Sequence, residues 1–331
     1  MNEFGRMFRV SIFGESHGPA VGVVICGCPA GLELSENDFK TDLERRQSGK
    51  VGTTSRKEED RPLLRSGIFN GRTTGAPIAI EFENKNIDSS AYEEIKNTPR
   101  PGHADFVASQ KAGGYNDYRG GGHFSGRLTV ALVAAGVVAK KIIAPVKIEA
   151  KLIEVGGSTD IEKEVKSAVD EGDSVGGLIE CRADNLPIGI GEPFFDSVES
   201  VISHSVFSIP AVKGIEFGVG FASAKMRGSE CNDAIIDGRG KTATNNAGGV
   251  NGGITNGNGL VFRVVVKPTS SVAKTGKTVD MRTGNRTEIN VRGRHDSCIA
   301  LRAPVVVEAV AAISIADLMI IEQRIPKIWR E

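Results

Sequence analysis

The sequence predicts an α+β fold in which largely antiparallel sheets cover buried helices. Two segments, 126–143 and 304–325, read as helices, and the first is apolar on nearly every side. A helix with no polar face belongs inside the protein. A series of short strand-like runs accompanies them, and these mostly do not alternate one-to-one with helices. That order leads to the α+β reading with largely antiparallel sheets.

The elements follow in chain order. Residues 7–13 and 21–28 read as strands, and Cys26 and Cys28 alternate along the second as on a strand with one buried face. Ser35 is placed to cap a helix over 36–46, with Asp38 in its first turn. A strand follows at 77–83, and Ser125 is placed to cap the helix 126–143. Strands at 147–155 and 176–183 and more polar helices at 159–171 and 195–205 come next, then a strand at 214–221. Residues 224–258 are polar and rich in glycine and asparagine. A loop that long in a compact domain is usually functional or disordered, and a functional loop is the preferred reading. The strand 259–267 is the clearest, carrying Val261-Phe262-Arg263-Val264-Val265-Val266. Pro304 suits the first turn of the last helix and Pro326 lies beyond its end. Composition never shifts lastingly along the chain, so residues 1–331 read as a single domain.

Forty-one basic residues balance 41 acidic ones. Zero net charge argues against a nucleic-acid or membrane-surface binder, whose affinity needs excess positive charge. Cys26, Cys28, Cys181, Cys231 and Cys298 are odd in number and lack metal-ligand spacing. They read as free thiols of a reducing compartment. No signal-like start and no apolar run of roughly 18 residues is read, so the expectation is a cytoplasmic protein without a membrane span.

Most of the chemistry gathers at histidines. His17 lies in Gly14-Glu15-Ser16-His17-Gly18, His103 in Arg100-Pro101-Gly102-His103-Ala104-Asp105, and His295 in Gly293-Arg294-His295-Asp296. Histidine changes charge near neutral pH, so loops of this kind suit proton movement beside a bound anion. His123 follows the triple glycine Gly120-Gly121-Gly122 and is open to either a structural or a functional reading; His204, on a helix, takes the structural one. Lys267-Pro268-Thr269-Ser270-Ser271 is either a polar turn or a phosphate clamp. Glu44-Arg45-Arg46-Gln47-Ser48-Gly49-Lys50 is either a solvated charge run or an anion site. Arg100, Arg119, Arg127 and Arg294 each lie near a histidine or a glycine cluster, which points to a substrate with more than one anionic group. A rival reading gathers Glu15, His17, His103, Asp105, His295 and Asp296 around a metal for phosphoester hydrolysis, although no helical ligand spacing supports it.

Taken together and in order, these motifs resemble the chorismate synthase family. Gly14 to Gly22, Gly122-His123-Phe124-Ser125-Gly126-Arg127-Leu128-Thr129, and Arg294-His295-Asp296-Ser297-Cys298 resemble its three signatures. The Arg100, Asp117-Tyr118-Arg119 and Lys267 segments also match, so the resemblance runs from about residue 5 to 325. It implies a β-α-β sandwich and a homotetramer. It implies the anti-1,4-elimination of phosphate from 5-enolpyruvylshikimate 3-phosphate to give chorismate, with reduced FMN required and no net redox change. His103 would assist the departing phosphate, His17 would balance charge on the reduced flavin, and Asp296 would help the flavin accept the substrate proton. Substrate anions would meet Ser16, Arg45, Arg46, Arg100, Arg127 and Arg294. FMN would meet His123, Phe124, Ser125, Pro210, Ala211, Gly252, Lys267, Pro268, Thr269, Ser270, Ser271 and Arg294. Many relatives carry Arg-Ser-Ser-Ala-Arg where this chain has His123-Phe124-Ser125-Gly126-Arg127, and an arginine where it has Lys50-Val51-Gly52, with Lys50 as the candidate replacement charge. Gly-x-Gly-x-x-Gly does not follow a strand and open a helix, so an external flavin reductase or reductant is expected. A flavin-dependent oxidoreductase is the remaining alternative.

Overall fold

The computed structural model describes residues 2–291 and 295–329. One sheet has five strands in the spatial order Glu3–Phe4, Arg9–Gly14, Ala20–Cys26, Ile78–Glu83 and Leu63–Ser66. The other has four, in the order Val212–Phe217, Leu260–Val266, Gly177–Asp184 and Lys147–Val155. Every pairing in both sheets is antiparallel. Between the sheets lie two helices, α1 (Thr129–Ile142) and α2 (Pro304–Ile321). Helix α1 packs on the first sheet, α2 on the second, and the helices pack on each other. The layers make an α+β, β-α-β sandwich.

Side-chain periodicity explains the layering. Leu260, Phe262, Val264 and Val266 alternate inward from their strand and are buried, as are Ile78, Ile80 and Phe82 across the core. Helix α1 is buried along almost its whole length. Gly136 lets the two helices approach closely, because a Cβ there would lie 2.4 Å from that of Ala309. Contrary to the expectation from sequence, one segment is long and apolar enough to cross a membrane: α2. Its most apolar stretch is 83% buried within the fold, as befits a core helix. Its polar side chains are all engaged. Glu308 accepts from Arg45, Lys140 and the Ala150 N–H. Ser314 bonds Ser205, and Asp317 accepts the backbone N–H groups of Met7 and Phe8.

Several ends differ from the sequence reading, each for a local reason. Glu36–Phe39 is a 3-10 turn leading into the helix Lys40–Arg46, and Ser35 with Asp38 forms a capping box. Ser125 caps a 3-10 turn, Gly126–Leu128, that leads into α1. Ser197 accepts from the Ser200 N–H and delays the next helix to Val198–Val206. The strand Val212–Phe217 stops before Gly218, whose φ of 56° turns the chain. Helix α2 ends at Ile321, just before Gln323, which is left-handed at φ 55°. The stretch 224–258 holds its own structure. Asp233 accepts from Thr244, Asn246 and Ala247, and Val250–Asn251 pairs with Ile254–Thr255.

Candidate active site

A cavity of about 1070 Å³ opens beside the strand Arg9–Gly14 and both core helices. Val10, Ile12, Leu132, Val310 and Ile313 form its apolar wall. The opposite lining is polar and comes from loops far apart in sequence.

Gly14 has a φ of 97°, and a Cβ there would lie 2.3 Å from the Ala20 carbonyl oxygen. Glycine therefore permits the sharp exit from the strand that delivers Ser16 and His17. Both are buried and line the cavity. The Nδ1 of His17 is 2.8 Å from the Ser89 hydroxyl, and its ring meets Tyr92 edge-on. Gly120 closes the other side, since a Cβ at its φ of 60° would come within 2.4 Å of the His17 ring. Burial, then the charges of Arg56 and Arg119, holds His17 below its ordinary pKa, against the opposing pull of Asp117 and Asp88.

The His103 loop is bound by one carboxylate. Asp105 accepts from Nε and Nη2 of Arg100, at 2.7 and 2.8 Å, and from the Arg100 N–H. Its Oδ1 lies 2.6 Å from the Nδ1 of His103. Arg100 Nη2 is also 3.1 Å from that Nδ1, but a guanidinium has no acceptor to offer. The shorter contact decides the tautomer: Nδ1–H donates to Asp105, which leaves Nε2 to act. Burial pushes the Asp105 carboxyl up, yet the hydrogen bonds from Arg100 and His103 outweigh it and hold the group far below the usual carboxylate range.

Two arginines share a second carboxylate. Arg46 Nη2 donates to Asp60 Oδ2 at 2.6 Å, and Arg127 Nη1 donates to Asp60 Oδ1. Arg127 Nε also donates to Asn84, at 2.9 Å, and Arg46 Nη1 to Thr129, at 3.2 Å. Burial pushes Asp60 up, but the charges of Arg46 and Arg127 prevail and lower it. Two cations and one anion leave this wall with net positive charge, which suits an anionic ligand.

The segment Lys267–Ser271 docks on the His103 loop. Lys267 Nζ and the Ser270 hydroxyl both donate to the Gly102 carbonyl, at 2.6 and 2.8 Å, and Ser271 accepts from Arg100 at 3.0 Å. The buried Thr269 hydroxyl oxygen has no partner among the described residues. His123 has its Nδ1 2.8 Å from the Gly14 carbonyl, so Nδ1–H donates there. Asp296 accepts from the Thr54 N–H at 3.0 Å and from Arg302 Nη2 at 2.6 Å.

The sequence profile of chorismate synthase matches residues 8–320. The chain belongs to the chorismate synthase family. It is 62% identical to the chorismate synthase of Chitinophaga pinensis over the full length of both chains. It is 47% identical to that of Thermococcus kodakarensis, with 95% of this chain and 96% of the relative covered. A crystal structure of chorismate synthase superposes with a TM-score of 0.72 at 26% identity, covering 96% of this chain and 93% of that one.

Of the residues that resemblance to chorismate synthase singled out, the cavity gathers most. Ser16, His17, Arg46, Arg100, His103 and Arg127 line it. So do His123, Phe124, Ser125, Pro210 and Ala211. Lys267, Pro268, Thr269, Ser270, Ser271 and Asp296 complete the set. Arg45 does not line it: its guanidinium is engaged by Glu308 and Asp42. Gly252 lies in the short hairpin region outside the cavity, and no residue of 224–258 contributes to the lining. Arg294 falls outside the described residues. Among the described residues no three potential metal ligands converge, which leaves the hydrolase reading without a ligand set. Residues passed over in the sequence are Arg56, Asp60 and Arg302. Lys57-Glu58-Glu59-Asp60 looks like any solvated charge run, and only folding reveals that Asp60 is buried between two arginines.

Proposed function

We propose that the chain catalyses the anti-1,4-elimination of phosphate from 5-enolpyruvylshikimate 3-phosphate to give chorismate, with reduced FMN as cofactor and no net redox change. The observation that carries this reading is the convergence of His17, His103 and Asp296 with Arg46, Arg100 and Arg127 on one cavity, in a chain of this family. A substrate with two carboxylates and a phosphate calls for that many cations. His103, aligned by Asp105, presents Nε2 as the atom that gives a proton to the departing phosphate. His17, held by Ser89 and Tyr92, is the second proton-bearing group. Burial and the charges of Arg56 and Arg119 hold its pKa low, and negative charge brought beside it would raise it. Asp296, fixed by Thr54 and Arg302, is the acceptor group on that wall.

The residues fit a phosphate-bearing flavin. Thr269 offers a buried hydroxyl without a partner among the described residues, beside Lys267 and Ser270. The apolar wall offers a surface for a flat ring. Ser125, Pro210, Ala211 and Lys267 to Ser271 would hold the cofactor, with His123 and Phe124 beside it. Bound reduced FMN would supply the electron density that lets a weakly acidic C–H break in a redox-neutral elimination. We place the enzyme in the cytoplasm, as a homotetramer served by an external reductant, on the family resemblance.

The test is anaerobic release of chorismate and phosphate from 5-enolpyruvylshikimate 3-phosphate with chemically reduced FMN. Turnover that needs the reduced cofactor and survives a chelator is the expected result. Net NAD(P)H consumption with an acceptor, and no elimination, would mean a flavin oxidoreductase instead. Phosphate release that stops with chelator would restore the hydrolase.

A further inference from the structure

His17 and His103 line one cavity but have different partners on Nδ1. His103 has the Asp105 carboxylate at 2.6 Å. An ionised carboxylate only accepts, so it fixes one tautomer. His17 has the Ser89 hydroxyl at 2.8 Å. A hydroxyl donates or accepts by rotating about its C–O bond. It can therefore follow the ring, donating to a bare Nδ1 and accepting from a protonated one. The other edge of the His17 ring faces Gly120. A Cβ there would stand 2.5 Å from Nε2 and 3.0 Å from the Ser16 hydroxyl. The missing side chain keeps that edge clear.

Ser89 comes from neither histidine loop. It lies in a strap that leads from the strand Ile78–Glu83 to Pro99 and holds the short helix Ser90–Ile95. The strap is fastened along its length by other residues. The N–H groups of Lys85 and Asn86 donate to Glu58. Glu93 accepts from the Tyr118 hydroxyl. The Asn97 carbonyl accepts the Met281 N–H at 2.8 Å, and the Pro99 carbonyl accepts the Thr278 hydroxyl at 2.6 Å. Tyr92 stands with its ring centroid 5.3 Å from that of His17 and 5.7 Å from the Arg100 guanidinium. The strap therefore does not need the Ser89 side chain as an anchor. What that hydroxyl acts on is the imidazole.

We propose that Ser89 is the positioning residue of His17: its hydroxyl holds the ring in one orientation through both charge states and leaves Nε2 as the atom that exchanges a proton at the cavity. The proposed function is needed only for what that proton serves. His17 is faced by Arg56 from the segment after Arg46, by Asp88 and Tyr92 from the strap, and by Asp117 and Arg119 from the loop before Gly120. Burial, Arg56 and Arg119 disfavour the imidazolium, and Asp117 and Asp88 oppose them. A hydroxyl at position 89 adds no charge to this balance, whereas a carboxylate would.

The experiment is NMR of enzyme carrying 15N-labelled histidine, before cofactor or substrate is added. The two ring nitrogens report tautomer and titration, and the His17 signals are assigned by their loss in His17→Gln. Ser89→Asp should fix the Nδ1–H tautomer and titrate about 1 to 3 pH units above the parent, the effect of an adjacent opposite charge. In Ser89→Ala the Nδ1 signal should move to that of an unbonded nitrogen, and Ser89→Thr should restore it. With substrate and reduced FMN, Ser89→Ala should lose about 2- to 10-fold in kcat, the worth of one hydrogen bond, with KM close to the parent's. Ser90→Ala removes the neighbouring hydroxyl, which donates to Asp88 at 2.7 Å, and should leave the His17 signals unmoved. A His17 titration in Ser89→Asp identical to the parent's overturns the assignment, as do equal changes in Ser90→Ala and Ser89→Ala. Should Ser89→Ala not fold, Ser89→Asp decides by its titration. Shifted His17 signals in an enzyme that does not turn over 5-enolpyruvylshikimate 3-phosphate sink the proposed reaction and keep the positioning role. Full turnover with unmoved His17 signals in Ser89→Ala keeps the reaction and rejects the role.

Discussion

At the scale of single residues, the site is built from carboxylates that orient cations. Asp105 takes two donors from Arg100 and the Nδ1–H of His103, so one acid orients both the arginine and the imidazole to which the proposed function gives anion binding and proton donation. Removing His103 should therefore differ from removing its support. His103→Ala is expected to lower kcat by about 10²- to 10⁴-fold, the usual worth of a general acid, while FMN titrates normally. Asp105→Asn keeps the imidazole but loses its orienting charge. Its kcat/KM should fall, because the imidazole loses the carboxylate that fixes its plane and its Nδ1–H tautomer. Equal kcat in His103→Ala and the parent, measured with saturating substrate, would remove His103 from the chemistry. These roles were legible as residue types beside glycine. The partner of each was not, because Asp60 and Arg302 carry no local pattern that separates them from surface charges.

At the scale of elements, the two central helices hold the site's floor. Helix α2 is apolar all round, but Glu308 projects from it into a buried set of charges. Arg45 comes from the helix Lys40–Arg46, Lys140 from α1, and the Ala150 N–H from the second sheet. One carboxylate thus ties three layers together. Burial pushes Glu308 up, but the Arg45 hydrogen bond and the Lys140 charge outweigh it and hold the group low. Glu308→Ala strands those cations and should cost about 3–5 kcal/mol, as breaking a buried pair does. Glu308→Gln should cost less, because the amide keeps a hydrogen bond. Urea denaturation of both variants measures this, and an alanine variant as stable as the parent would show that the network is dispensable. Arg45, which the family resemblance placed beside the substrate-binding arginines, thereby has a structural task.

At the scale of the whole molecule, acid should destabilise the fold in two stages. His17 has a lowered pKa, so between that value and about 6.5 the unfolded chain binds a proton the folded chain does not. Its contribution is present above about 6.5 and fades as pH falls. Asp60 and Asp105 are also lowered, so their contribution is present above about 4 and is lost as pH falls further. Stability measured by urea from pH 8 to pH 3 should decline gently at first and steeply below about 4. Asp60→Asn should start lower and show a shallower acid slope, having one fewer proton to take up. An acid slope identical to the parent's would mean that Asp60 titrates alike in both states.

The sequence alone determined the layers. Apolar periodicity is a local property, so seven of the strands, both core helices, the Ser125 cap and the antiparallel character could be read from runs of a few residues, while the short edge strands Glu3–Phe4 and Leu63–Ser66 could not. It also determined the histidine loops, because glycine beside histidine and arginine is unusual over a short window. Tertiary structure alone decided which charges line the cavity and which partner each one has. Asp60 lies between Arg46 and Arg127, Arg56 reaches Ser16 where Lys50 does not, and Arg45 turns to Glu308. Charged side chains are long, and their energies depend on burial and on partners distant in sequence. Their roles are fixed only when the chain is packed.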